Sequence, residues 1–227
     1  MKRKIVMILA ATLCLGLFVA CTEYGKIPDK TPYPPMPSST PTPEPTAIEP
    51  SSEDNPVITI TLEDGRIMTA ELYPDVAPNT VNNFISLIKS GFYDGLTFHR
   101  AEPGFVIQGG DPQINGATPL DYSIKGEFSE NGFDNPLKHT KGVLSMARST
   151  EDSANSQFFI MVGDSPGLDN KYASFGKILT GQEVADDISL MDTTENMGLM
   201  FLDEPVVIKS ITVDTKGVEY PEPEKVQ

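Results

Sequence analysis

The chain of 227 residues has no tryptophan, two cysteines and two histidines. Each scarcity removes a class of chemistry. His99 and His139 lie far apart, with no cysteine between them, so no zinc-ligand spacing occurs and no metal is expected. A serine hydrolase would have to take its base from these two histidines, beside Ser145 or Ser156, and no G-x-S-x-G elbow surrounds any serine. Gly109-Gly110-Asp111 is glycine-rich but lacks the lysine and helix of a phosphate loop, and no cofactor is expected. Positive charge is also scarce. Seventeen Lys and Arg face 32 Asp and Glu, a formal net charge of −15. Such a surface repels phosphates, so nucleic acid is excluded as a partner.

The N-terminus has a different character. Lys2, Arg3 and Lys4 precede an apolar run from Ile5 to Ala20 that ends in small residues. The run is shorter than the roughly 20 apolar residues a spanning helix needs, and it is expected to be a secretory signal over residues 1–20. Its end, Leu17-Phe18-Val19-Ala20-Cys21, resembles a bacterial lipobox with Phe18 in the usual leucine place. The resemblance implies cleavage before Cys21 and a lipid on its sulfur. Cys14 lies inside the apolar run, so Cys21 would be the lone thiol of the mature chain, and lipidation accounts for it. The expected location is outside the cytoplasm, anchored to the bacterial cell membrane.

Residues 21–55 are rich in Pro, Ser, Thr and Glu, as in Pro32-Tyr33-Pro34-Pro35 and Pro41-Thr42-Pro43-Glu44-Pro45. Such a segment cannot bury a core and is expected to be a disordered tether. At ~3.1 Å per residue it reaches at most roughly 100 Å.

Residues 56–214 have the size of one domain with a real core. Val57 to Leu62 alternates apolar and polar, Asp64-Gly65 signals a hairpin, and Ile67 to Leu72 is the return strand. Pro78 to Ser90 is an expected helix, with Val81, Phe84, Ile85 and Ile88 on one face and Gly91 after its end. Short apolar segments follow near 97–100, 104–108, 142–147, 157–162 and 174–178. A second amphipathic helix is expected from Glu183 to Met191, and a last strand from Val206 to Val213. Many short strands with two helices suggest a closed antiparallel barrel whose ends the helices cover. Residues 215–227 are acidic and expected to be a disordered tail.

Three strings concentrate the chemistry: Phe98-His99-Arg100, Phe105-Val106-Ile107-Gln108-Gly109-Gly110-Asp111 and Ser156-Gln157-Phe158-Phe159. They supply an arginine, two glutamines and several rings, an inventory for binding an apolar ring and donating to a nearby amide. In a strand, Phe158 and Phe159 point to opposite faces. Phe158 is assigned to the core and Phe159 to the pocket.

The strings resemble those of the cyclophilin family of peptidyl-prolyl isomerases. So do Ala77-Pro78-Asn79-Thr80-Val81-Asn82-Asn83-Phe84, Gly91 to Arg100, Gly142 to Arg148 and Ser174-Phe175-Gly176-Lys177, in the family order. The resemblance covers Val57 to Val213. It implies a mainly β fold, a closed eight-stranded antiparallel β-barrel capped by two α-helices. It implies catalysis by Arg100, oriented by Gln108. It implies a substrate pocket of Phe105, Val106, Ala147, Arg148, Gln157, Phe159, Leu168 and Tyr172. The implied substrates are proline-containing exported polypeptides, and a monomer is expected. A surface-anchored module that binds proline peptides with weak isomerisation is the competing reading, because fold alone does not settle function.

Four positions depart from the common family pattern. Val106 stands for methionine, Arg148 for asparagine and Tyr172 for histidine. Gly167 stands where many members carry a tryptophan that contacts cyclosporin.

Overall fold

A computed structural model describes residues 52–226. The expected signal peptide, Cys21 and the tether up to residue 51 lie outside the described residues. Ser52 to Asn55, expected as tether, belong to the domain. The Asn55 side chain is buried and donates to Glu71 Oε1 at 3.0 Å, and Ser52 N–H donates to the same oxygen at 3.2 Å.

Among the described residues there are nine strands and two α-helices. They are β1 (Val57–Leu62), β2 (Ile67–Leu72), α1 (Pro78–Lys89), β3 (Thr97–Glu102), β4 (Val106–Gly109), β5 (Val143–Met146), β6 (Phe158–Met161), β7 (Ser174–Thr180), α2 (Gln182–Ser189), β8 (Thr193–Asn196) and β9 (Leu199–Asp214). The sheet order is β1-β2-β7-β5-β6-β4-β3-β9-β8, and β1 also pairs with β9. That last pairing joins eight strands into a closed antiparallel barrel, which abolishes their free edges. The ninth strand, β8, lies outside the closure and pairs with the first residues of β9.

The first hairpin shows how local chemistry sets register. Gly65 has φ +89 and ends a three-residue loop, with Leu62 N–H donating to Arg66 O. The Asp64 carboxylate accepts from Arg66 N–H at 3.0 Å and fixes the turn.

Period-two alternation sorts the side chains into two apolar clusters. Ile107, Leu144, Met146, Phe158 and Ile160 point into the barrel, where they meet Phe84, Ile85 and Ile88 of α1 and Val184, Ala185 and Ile188 of α2. Val106, Val143, Phe159 and Met161 point outward and form a second cluster with Phe105, Leu137, Ala147, Leu168 and Tyr172. The division between Phe158 and Phe159 therefore follows the strand alternation.

Helix α1 starts without a capping side chain of its own. The buried Glu127 carboxylate supplies the cap from a distant loop. It accepts from Asn79 N–H at 3.0 Å, Thr80 N–H at 2.7 Å and Thr80 Oγ1 at 2.7 Å. These amides are orphans of the helix start, and a negative charge suits the positive end of its dipole.

Two further segments differ from expectation. The last strand begins at Leu199 rather than Val206 and forms a hairpin with β8. The C-terminal segment is not a disordered tail. Val226 bridges to Ser123, Asn79 exchanges hydrogen bonds with Glu224 backbone atoms, Ser86 donates to Glu222, and Tyr220 packs on the core. Side-chain partners on α1 and the 122–123 segment hold residues whose composition alone gives them no core to join.

Candidate active site

One row of cross-strand partners builds the site. Ser145 pairs with Phe159, Phe159 with Gln108, Gln108 with Arg100, and Arg100 with Phe201. Directly opposed residues of an antiparallel pair lie about 4.5–5.5 Å apart. The row thus brings residues from five strands, β5, β6, β4, β3 and β9, side by side across the barrel wall.

The row opens into a cavity of ≈ 290 Å³. Arg100, Phe105, Val106, Gln108, Ala147, Arg148, Phe159, Leu168 and Tyr172 all line it. Gln157 lines an adjoining cavity of ≈ 310 Å³, which shares Gln108, Ala147 and Arg148. The structure therefore gathers every pocket residue named from sequence. The apolar part is walled by rings, with Phe159 and Tyr172 edge to face at 5.8 Å between centroids. Arg148 is spread between two rings, 4.7 Å from the centroids of Phe128 and Tyr172, and its Nε–H donates to Lys171 O at 2.8 Å.

Arg100 is held along one edge of the apolar part. One terminal nitrogen donates to Gln108 Oε1 at 3.3 Å, and the other reaches Glu102 Oε2 at 3.1 Å. Its Nε is buried with no partner among the described residues. An arginine has five donors and no acceptor, so donors remain for a ligand. Nε has no surface to offer, so the donors left for a ligand are the remaining N–H groups of the two terminal nitrogens.

A relay continues from Gln108. Its Nε2 donates to Gln157 Oε1 at 2.8 Å, and Gln157 Nε2 donates to Asp111 Oδ2 at 2.9 Å. The polarity follows from the ends. Arginine can only donate and a carboxylate can only accept, so both amides point one way. Gly110 makes this approach feasible. It has φ +81, and a Cβ there would lie 2.6 Å from Ser156 O.

Beneath the rings lies a second chain. Asp169 Oδ1 meets His139 Nδ1 at 3.2 Å, and His139 Nε2 meets Ser145 Oγ at 3.0 Å. The order Ser-His-Asp matches a hydrolytic triad, but Ser145 is 0% exposed. A nucleophile without surface attacks no substrate. Instead the His139 ring stacks on Phe159, 6.0 Å between centroids, and meets Tyr172 edge-on at 6.4 Å. The chain props the pocket's rings from below. Burial pushes the His139 pKa down, against the partial opposition of Asp169. Burial also lowers His99, with Asp111 opposing. Neutral imidazole at His139 then donates from Nδ1 to Asp169 and accepts from Ser145.

Sequence reasoning missed Glu102, Asp111, Asp169 and Leu199. Asp111 and Asp169 carried a local signal, since Asp111 ends one of the quoted strings, where it was given no role, and Asp169 directly follows Leu168. Leu199 carried none.

An eight-stranded barrel closed on itself, with two helices packed on its core and a ring-lined cleft on its outer wall, is the cyclophilin architecture. A family model described as "Cyclophilin type peptidyl-prolyl cis-trans isomerase/CLD" matches residues 57–213. The chain belongs to this family, and its class is that of a peptidyl-prolyl cis-trans isomerase. Peptidyl-prolyl cis-trans isomerase B of Bacillus subtilis is 46% identical over 136 residues, covering 60% of this chain and 92% of that protein. Peptidyl-prolyl cis-trans isomerase A of Dickeya dadantii is 40% identical over 167 residues, covering 70% and 85%. Among solved structures, a cyclophilin-type isomerase of Cryptosporidium parvum has a TM-score of 0.61 at 27% identity, covering 70% of this chain and 98% of that one.

Proposed function

We propose that the protein isomerises Xaa–Pro bonds of exported polypeptides, with Arg100 stabilising the twisted amide, from a monomeric domain tethered to the membrane through a lipid on Cys21. A prolyl amide resists rotation because nitrogen shares its lone pair with the carbonyl, with a barrier of ~18–20 kcal/mol. Its two ends differ by only about 0.5–1 kcal/mol. The catalyst must therefore favour the twisted state and need form no covalent bond.

The proline ring enters the apolar cleft of Phe105, Val106, Phe159, Leu168 and Tyr172. As the amide twists, its nitrogen regains the lone pair and becomes a better acceptor. A donor fixed beside it favours the transition state over the planar ground state. The single observation that carries this reading is Arg100, pinned by Gln108 and Glu102 at the cleft edge with N–H groups of its terminal nitrogens unspent. No proton changes hands, so the mechanism asks no acid or base of either histidine.

The test is exchange spectroscopy on an Ala-Pro peptide. Arg100→Ala is expected to lose about 10²- to 10³-fold in kcat, the usual cost of one such donor. Undiminished exchange in a folded Arg100→Ala protein would refute the mechanism.

The export and anchoring reading rests on the basic n-region, the apolar run and the lipobox-like end at Cys21. A single acyl chain binds membranes marginally, so stable anchoring takes a second one, as a diacylglyceryl group provides. The full precursor expressed in a bacterium should fractionate with membranes, and Cys21→Ala should not acquire the lipid. N-terminal mass spectrometry showing an unmodified Cys21 rules the anchor out and leaves the isomerase reading standing.

A further inference from the structure

We infer that the β8–β9 hairpin is a specificity element, and that Leu199 selects an apolar side chain in the substrate within two residues of the proline. The inference rests on the proposed isomerase activity and concerns how that site chooses its peptides.

The hairpin begins where the catalytic row ends. Phe201 is the β9 partner of Arg100, and Leu199 is one same-face step further along the strand, about 7 Å away. The side chain of Leu199 forms part of the cleft wall together with Arg100. It sits on the far side of Arg100 from Gln108, because β3 lies between β4 and β9. The cleft therefore continues past the catalytic arginine onto an apolar residue.

Much of the apolar surface there is left uncovered by the domain's own packing. Leu199 is 42% exposed and Met197, at the tip, is 96% exposed. The tip is nonetheless well defined. Asn196 pairs with Leu199 across a two-residue turn in which Met197 (φ +53) and Gly198 (φ +79) are both left-handed. That is the turn geometry matched to strand twist. Glu195 accepts from Gly198 N–H at 3.1 Å, and Thr194 Oγ1 donates to Asp203 at 2.7 Å. At its base, the Phe201 ring stacks on the buried His99, the residue before Arg100, at 6.2 Å. The hairpin is thus fixed to the catalytic strand and does not hang free.

The occupant follows from continuity and charge. A peptide with its proline in the cleft passes Arg100 and reaches Leu199 within a residue or two, given ~3.3 Å per extended residue. An apolar side chain there shields Leu199 from water. An acidic one meets a protein of net charge −15.

The experiment uses the full-length protein and a set of peptides identical except at the two positions on each side of proline. Each position carries Ala, Leu or Glu in turn, and kcat/KM is measured by exchange NMR. The wild type is expected to favour Leu over Ala at one flanking position by roughly three- to tenfold, mostly in KM. Leu199→Ser should bring that ratio to about one, and Leu199→Met should restore most of it. Leu190→Ser, an exposed leucine outside the cleft, serves as the control and should keep the wild-type ratio. Equal rates for the Ala and Leu peptides, or an unchanged ratio in Leu199→Ser, overturns the hairpin's role alone. Failure of the wild type to accelerate any peptide overturns the isomerase reading, and this inference with it.

Discussion

Arg100 and Asp111 sit at opposite ends of one hydrogen-bonded relay, joined through Gln108 and Gln157. The relay has a direction because its first member can only donate and its last can only accept. Asp111→Asn tests whether that direction matters. Asparagine can keep the acceptor for Gln113 N–H while presenting an amide to Gln157. Gln157 must then flip, and a flipped Gln108 turns a donor toward the guanidinium. Loss of about 1 kcal/mol of net hydrogen bonding corresponds to a roughly fivefold fall in kcat. The urea midpoint should move little, since Asp111 is only half-buried and asparagine keeps the bond to Gln113 N–H. A fall in kcat without a change in midpoint separates positioning from folding.

The two lowered histidines predict a pH dependence of stability. Their ordinary value is about 6.5. Burial holds both below it in the folded protein, His139 between Asp169 and Lys138, and His99 near Asp111 and Arg100. Below about pH 6.5 the unfolded chain takes up protons that the native state resists. Stability from this source is therefore complete above pH 6.5 and is lost as pH falls below it. Urea midpoints should be lower at pH 5.5 than at pH 7.5, and His139→Gln should narrow the gap. Activity behaves differently. An arginine donor keeps its charge throughout, so kcat should stay level from pH 7 to 9. A bell-shaped profile in that range would instead reveal a titrating catalytic group.

Glu127 predicts a stability effect at the start of α1. Its carboxylate serves three donors at the start of α1 and is 4% exposed. Glu127→Gln leaves one acceptor oxygen and turns an amide toward buried donors. A loss of about 1–3 kcal/mol is expected, read from urea unfolding. The catalytic constants of the folded fraction should be unchanged, because α1 packs on the barrel core and not on the cleft.

Much of this architecture is legible in local pattern. Alternation sets β1, β2 and the split between Phe158 and Phe159. Pro78 and Gly91 bracket α1. Other parts depend on pairing between distant strands. Asp111 meets Gln157, and Asp169 meets His139, only once the barrel closes, and no spacing encodes either contact. The β8–β9 hairpin is hidden for a different reason. Its strands face water, so they lack a clean apolar alternation, Pro205 interrupts β9, and the turn is Met197-Gly198 rather than Asn-Gly. The C-terminal segment misleads by composition. Its acidic, proline-bearing residues are held by Tyr220, by the Val226 bridge and by Lys225 over the Tyr122 ring at 4.2 Å.

The last prediction concerns Gly167, where many cyclophilins carry the tryptophan that contacts cyclosporin. Gly167 lies in a short 3-10 turn, Pro166–Leu168, whose last residue lines the cleft. A large ring at this position would add apolar wall beside Leu168 and Tyr172. Its absence removes contact surface that an apolar macrocycle would otherwise bury. Cyclosporin is therefore expected to inhibit the wild type weakly. The site can accept the missing ring, since a Cβ built on Gly167 meets nothing within 4 Å. Gly167→Trp should tighten cyclosporin binding by at least tenfold, the scale expected from burying part of an aromatic side chain at ~25 cal/mol per Å². Peptide turnover should change much less, because the donors of Arg100 and the rings of Phe159 and Tyr172 are untouched. The chain has no other tryptophan. The variant thus carries its own fluorescent reporter, and titration with cyclosporin reads the binding directly. Tight inhibition of the unmodified protein, or an indole whose emission is indifferent to the ligand, would show that the contact surface lies elsewhere.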